Sequence, residues 1–123
     1  MAGKKNKIEL QEFFMRLTDK IVSNYDVDEV LLFGSYAKGL ETDISDIDVA
    51  VISPDIDPNK LTYQNVLEIK RKADILEPYL QLFAFNSNNF YKDKYIDPGF
   101  FQEIKKTSKQ IYSRQQGLQL GNL

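Results

Sequence analysis

Leu32-Phe-Gly-Ser-Tyr-Ala-Lys-Gly-Leu-Glu-Thr-Asp-Ile-Ser-Asp-Ile-Asp-Val-Ala-Val51 decides the reading of this chain. Its first residues close an apolar run, Val27-Asp-Glu-Val-Leu-Leu-Phe33, that stops sharply at Gly34. A β-branched, apolar segment cut off by glycine predicts a strand ending in a turn. Ser35 to Gly39 predicts one short helical turn, and Leu40 to Ser45 a polar loop. Ile47-Asp-Val-Ala-Val-Ile-Ser53 predicts a second strand, stopped by Pro54 and Pro58.

Outward from this core, Ile8, Leu10, Phe13, Phe14, Leu17, Ile21 and Val22 recur at steps of three and four, which predicts an amphipathic helix from Ile8 to about Asn24. Asn59 is a suitable cap for a second helix whose inward residues are Leu61, Val66, Leu67, Ile69 and Ala73. Ile75 to Phe85 predicts a third extended segment, with Pro78 at an edge or bulge. Asn86 to Asn89 predicts a turn, and Phe90 to Tyr95 fits no single period. Asp97-Pro98-Gly99 opens a last helix to about Thr107, and Ile111-Tyr112 predicts a final short strand. Residues 1–7 and 115–123 are expected to fray. The sum is one α/β (α+β) domain over 1–123, a small mixed sheet with helices packed on it.

Composition narrows the chemistry. Among 123 residues there is no histidine, cysteine or tryptophan. That removes histidine bases, thiol nucleophiles and disulfides, and disfavours zinc. An enzyme built from this chain must work with carboxylates and with hard, oxygen-ligated cations. A net charge of −2 and a pI near 5.1 argue against a face for duplex nucleic acid. No apolar run is long enough to span a membrane and the first residues lack a signal-peptide core, so a cytoplasmic protein is expected.

Asp46 and Asp48 stand two apart at the start of a strand, so their side chains leave the same face with Cα atoms about 6–7 Å apart. Two carboxylates on one face repel unless a cation lies between them. Gly34-Ser35 adds a tight turn with exposed N–H groups and a hydroxyl, a combination that receives anions. Either feature alone is common. Together, Gly34-Ser35, Ala37-Lys38-Gly39 and Ser45-Asp46-Ile47-Asp48, with ten residues between Ser35 and Asp46, closely resemble the signature of the nucleotidyltransferase superfamily typified by DNA polymerase beta. The resemblance is best to its minimal nucleotidyltransferase (MNT) branch.

The resemblance implies a polymerase-beta-like fold and transfer of a nucleoside monophosphate, with ATP the expected donor, to an acceptor hydroxyl. It implies that Gly34, Ser35 and Lys38 meet the phosphates, and that Asp46, Asp48 and a third carboxylate hold two Mg²⁺ ions, or Mn²⁺. Glu77, in Leu76-Glu-Pro78, is the choice for that third ligand and for a base; Asp74 and Gln81 compete, because Pro78 leaves the strand register open. MNT proteins of this length pair with helical HEPN ribonucleases as antitoxins, which implies a helical HEPN-type partner protein as acceptor, with a second copy of the chain as the other assembly. Two readings stand beside this one: a binding module of the same fold that masks such a partner, and a small-molecule nucleotidyltransferase of the aminoglycoside-modifying kind.

Overall fold

A computed structural model describes residues 5–92 and 98–123. Its elements, in chain order, are α1 (Lys7–Val22), β1 (Glu29–Phe33), α2 (Gly34–Lys38), β2 (Ile47–Ser53), α3 (Thr62–Lys72), β3 (Leu80–Asn86), α4 (Ser87–Tyr91), α5 (Pro98–Thr107), β4 (Lys109–Ser113) and β5 (Gly117–Leu118), then a 3₁₀ turn over Leu120–Asn122. The strands form one mixed sheet in the order β3-β2-β1-β4-β5. β1 runs antiparallel to β2 and β4, while β2 and β3 are parallel, joined by the α3 crossover. The α/β class expected from the sequence holds. No helix among the described residues is long and apolar enough to cross a membrane.

Strand side chains alternate between faces, and both faces here are covered. Val30, Leu32, Val49, Val51, Leu82 and Ile111 meet the buried stripe of α1 (Leu10, Phe13, Phe14, Leu17, Ile21) and Ile69 of α3. Leu31, Phe33, Ala50, Ile52 and Phe85 meet Phe90 of α4 and Phe101 and Ile104 of α5. α1 starts where Asn6 accepts from the Glu9 N–H at 2.8 Å and the Glu9 carboxylate accepts from the Asn6 N–H at 3.0 Å, a reciprocal cap.

Several boundaries differ from expectation, each for a local reason. α3 begins at Thr62, not after an Asn59 cap; Leu61 precedes it and its N–H is taken by the Gln64 side chain at 3.0 Å, while the Asn59 N–H turns to Asp57. The buried seam of α3 is Asn65 and Ile69, so Leu67, about 200° around the helix from both, faces solvent, as does Leu61 outside it. β3 begins at Leu80: Asp74 takes a left-handed φ of 55° and a turn closes from the Leu80 N–H to Glu77 O, leaving Pro78 in the turn rather than in the strand. Asn86 caps α4 through the Asn89 N–H at 3.2 Å, so the expected turn is a short helix. The ambiguous segment after Phe90 and the residue Asp97 lie partly or wholly outside the described residues.

The C-terminal residues fold back onto β4 and the core. The Gln119 N–H donates to Ile111 O at 2.6 Å, the Asn122 amide donates to Gln110 O, and Leu120 and Leu123 pack on the core. These are amide contacts that hydropathy does not reveal. At the other end Lys5 and Asn6 are placed, the Lys5 N–H donating to the Tyr36 hydroxyl at 3.1 Å. Deleting residues 117–123 is expected to lower unfolding stability by about 2 kcal/mol, from two half-buried leucines and their neighbouring bonds. An unchanged thermal melt followed by circular dichroism would show the tail to be dispensable.

Candidate active site

The site begins where β1 ends. Phe33, the last residue of β1, is the Cα partner of Asp48 in β2, so Gly34 lies directly against the Asp48 side chain. Gly34 has φ +71°, and a Cβ built on it would stand 2.1 Å from Asp48 Oδ2 and 3.0 Å from its Cγ. Only glycine meets both demands. The space left by the missing side chain is the cradle of the Asp48 carboxylate.

That carboxylate is half-buried, on a sheet face that also carries Phe33. Phe33 packs against Phe83 (centroids 5.3 Å) and Phe100 (5.9 Å). Asp48 Oδ1 is buried and has no hydrogen-bond partner. Burial, and after it the negative charge of Asp46, pushes the Asp48 carboxyl up to about 6. Asp46, exposed in the residue before β2, is delivered by a loop clasped on itself: the Thr42 N–H donates to Ser45 Oγ at 2.9 Å and the Ser45 N–H to Thr42 O at 3.1 Å. The apolar pattern of the sequence does not reveal this Thr42–Ser45 clasp. Serine three residues after threonine in a short polar loop was the available signal.

Ser35 sits half-buried in the first turn of α2, next to the cradle. Lys38, expected at the phosphates, is paired with Glu103 of α5, and that contact holds the Glu103 carboxyl below its ordinary range. The three expected carboxylates are not assembled. Among the described residues no group of three or more acidic side chains is placed to hold a metal ion. Glu77 lies in the turn before β3, with Oε2 buried and unpartnered. The Asp74 carbonyl accepts from Lys20 of α1 at 2.9 Å. The residue in register with Asp48 on β3 is Gln81.

Two clefts lie elsewhere. One of about 440 Å³ is at the far end of β1, where Arg114 bridges Asp26 and Asp28 and Tyr91 donates to Glu29. The other, about 490 Å³, runs between α1 and Tyr112 and Leu118. Neither is lined by the aspartate pair.

The polymerase beta nucleotidyltransferase family matches residues 16–117. The chain belongs to that family. No curated protein matches the chain. Among solved structures it resembles a Sulfolobus solfataricus protein assigned as a nucleotidyltransferase, with 22% identity over 98% of both chains and a TM-score of 0.64. It also resembles a chain in a toxin–antitoxin structure with AMP-PNP, at 20% identity over 83% of this chain and 74% of that one, TM-score 0.53. At these identities the structures speak for the fold, which is the nucleotidyltransferase fold expected from the sequence.

The arrangement fits a divalent cation on its own terms: a buried carboxylate oxygen without a donor, beside a second carboxylate, in a cradle kept open by glycine. Folded Asp48 keeps its proton to about pH 6, against an ordinary value of 3.8. Between those values the folded chain binds the extra proton, so stability falls as pH rises through the window. In metal-free buffer, Asp48→Asn is therefore expected to be more stable than wild type at pH 7, by about 1 kcal/mol once solvent screening of a half-exposed group is allowed for. Calorimetry at pH 5 and 7 checks this, and an equal pH dependence in both proteins would remove Asp48 as the cause. Gly34→Ala adds left-handed strain and drives Asp48 from its cradle. Its Mn²⁺ affinity, read by isothermal titration, is expected to fall at least about tenfold.

Proposed function

We propose that the chain transfers a nucleoside monophosphate, AMP from ATP, to a hydroxyl on a partner protein, acting as the MNT member of a HEPN/MNT-type pair. The observation that carries the reading is Asp48 held against Gly34, one residue from Ser35, with the charge of Asp46 acting on it. It is supported by membership of the nucleotidyltransferase family and by likeness to a toxin–antitoxin chain whose structure contains AMP-PNP.

In this reading the backbone of Gly34 and the Ser35 hydroxyl receive the triphosphate. Asp46 and Asp48 hold Mg²⁺, with Mn²⁺ a substitute. When bound, the cation offsets charge on the phosphates and on the leaving pyrophosphate. The remaining work falls to the protein: fixing the α-phosphate in line with the acceptor hydroxyl, and keeping water from the buried oxygen of Asp48. In a chain without histidine, the aspartate pair and Glu77 are the groups available to take the acceptor's proton. Lys38, paired with Glu103, keeps further N–H donors with which it would meet phosphate. A partner with a helical surface is the proposed acceptor, and a second copy of this chain is the other assembly to measure.

A second reading, a module that masks its partner without modifying it, is favoured by one observation: two rather than three carboxylates are gathered among the described residues. Incubation with Mg²⁺, labelled ATP and a candidate helical partner separates the two. Label is expected on the partner and is expected to drop by about a hundredfold or more in Asp46→Asn and Asp48→Asn, with complex formation retained. A double variant that neutralises the partner as well as wild type does would establish masking.

A further inference from the structure

The third position of the site is occupied by an amide. β2 and β3 are parallel and in register, with Asp48 opposite Gln81 and Ala50 opposite Phe83, so Gln81 leaves the same sheet face as Asp48 on a strand about 4.8 Å away. Gln81 is exposed at the open end of that face and does not donate to Asp48 Oδ1, which is without a partner. The charged neighbour that acts on Asp48 is Asp46.

We infer that this chain holds one divalent cation by itself, between Asp46 and Asp48, and that Gln81 stands where a second ion would need a carboxylate, so a second cation enters only on the triphosphate. The inference rests on the nucleotidyl-transfer reading and deepens it. Its physical ground is charge. Two carboxylates offset the charge of one dication. A second dication about 4 Å from the first meets a repulsion that, even at the dielectric of water, weakens its binding by roughly a thousandfold. A third carboxylate on β3 would offset part of that repulsion. The Gln81 amide oxygen can coordinate but brings no charge. A triphosphate brings several negative charges, which makes the nucleotide itself the missing ligand.

The count of ions is the test. Mn²⁺ is titrated into the full chain at pH 7.5 and followed by electron paramagnetic resonance, with and without AMP-PNP. The expected result is one ion per chain alone and two in the AMP-PNP complex. Gln81→Asp is expected to hold two without nucleotide, the second at least about tenfold tighter than any second ion in wild type; Gln81→Glu repeats the test with a longer arm, and Gln81→Ala stays at one. Circular dichroism confirms that each variant is folded. Two ions on nucleotide-free wild type, falling to one in Glu77→Gln, would overturn the inference in favour of Glu77 while leaving nucleotidyl transfer standing. If neither Gln81→Asp nor Gln81→Glu gains an ion, the placement of Gln81 is wrong. No Mn²⁺ bound with or without AMP-PNP would instead bring down the transfer reading itself.

Discussion

The contact between Gly34 and Asp48 is the constraint on which the site depends. Adjacent antiparallel strands bring Phe33 opposite Asp48, and the chain must turn out of β1 at the next residue. Any Cβ at that residue would stand 2.1 Å from the Asp48 carboxylate, far inside van der Waals contact. The sheet therefore forces a choice between a side chain at 34 and a carboxylate at 48, and the sequence has taken the carboxylate. The cost is visible in Asp48 itself, whose buried, unpartnered oxygen and raised proton affinity are features that a chain selected for stability alone would have removed. A cation bound there, as the proposed function requires, would relieve both at once.

What could be read from the sequence was what local chemistry decides. The strands on either side of the motif are apolar runs bounded by glycine and proline, and β2 spans Ile47–Ser53 as its composition implies. Gly34, Ser35, Asp46 and Asp48 are brought together because a single β1–α2–β2 unit carries all four. What could not be read is set by partners distant in sequence. The β3 register depends on pairing with β2, and no pattern within Ile75 to Phe85 distinguishes a strand starting at Glu77 from one starting at Leu80. The start of α3 turns on whether Asn59 or Gln64 supplies the capping group, and either residue type is suited to it. The placement of the tail rests on side-chain amides reaching back to β4, which a hydropathy pattern treats as ordinary polar surface.

The aromatic pairs show the same division. Phe13 and Phe14 are both buried in the layer between α1 and the sheet, as adjacent apolar residues on a wide helical stripe should be. Phe100 and Phe101 are divided instead. Phe101 is buried under α5, while Phe100 is at the rim against Phe33 and Phe83. Two adjacent apolar residues are thus divided between the core and the aromatic wall of Phe33 and Phe83. The Lys38–Glu103 pair then ties the first helix of the motif to the helix that carries this wall. As an exposed ion pair it adds little to stability, so its effect is on where α5 sits relative to α2.

The placement of the site follows from how the two faces are covered. On the α1 face, helices extend over the full length of the central strands. On the other face α4 and α5 cover Leu31, Phe33, Ala50, Ile52 and Phe85 and leave Asp48 and Gln81, at the starts of β2 and β3, outside that buried cluster. At that end the outward positions in register are Phe33, Asp48 and Gln81: one apolar, one charged, one neutral and polar. A purely structural end of a sheet would bury or solvate all three alike. Here the apolar residue is sealed by Phe83 and Phe100, the carboxylate is half withdrawn from water, and the amide is left exposed. That gradient across three adjacent strands is what the proposed function uses: a cation placed there would gain from the carboxylate while its open side stayed accessible to a second, anionic ligand.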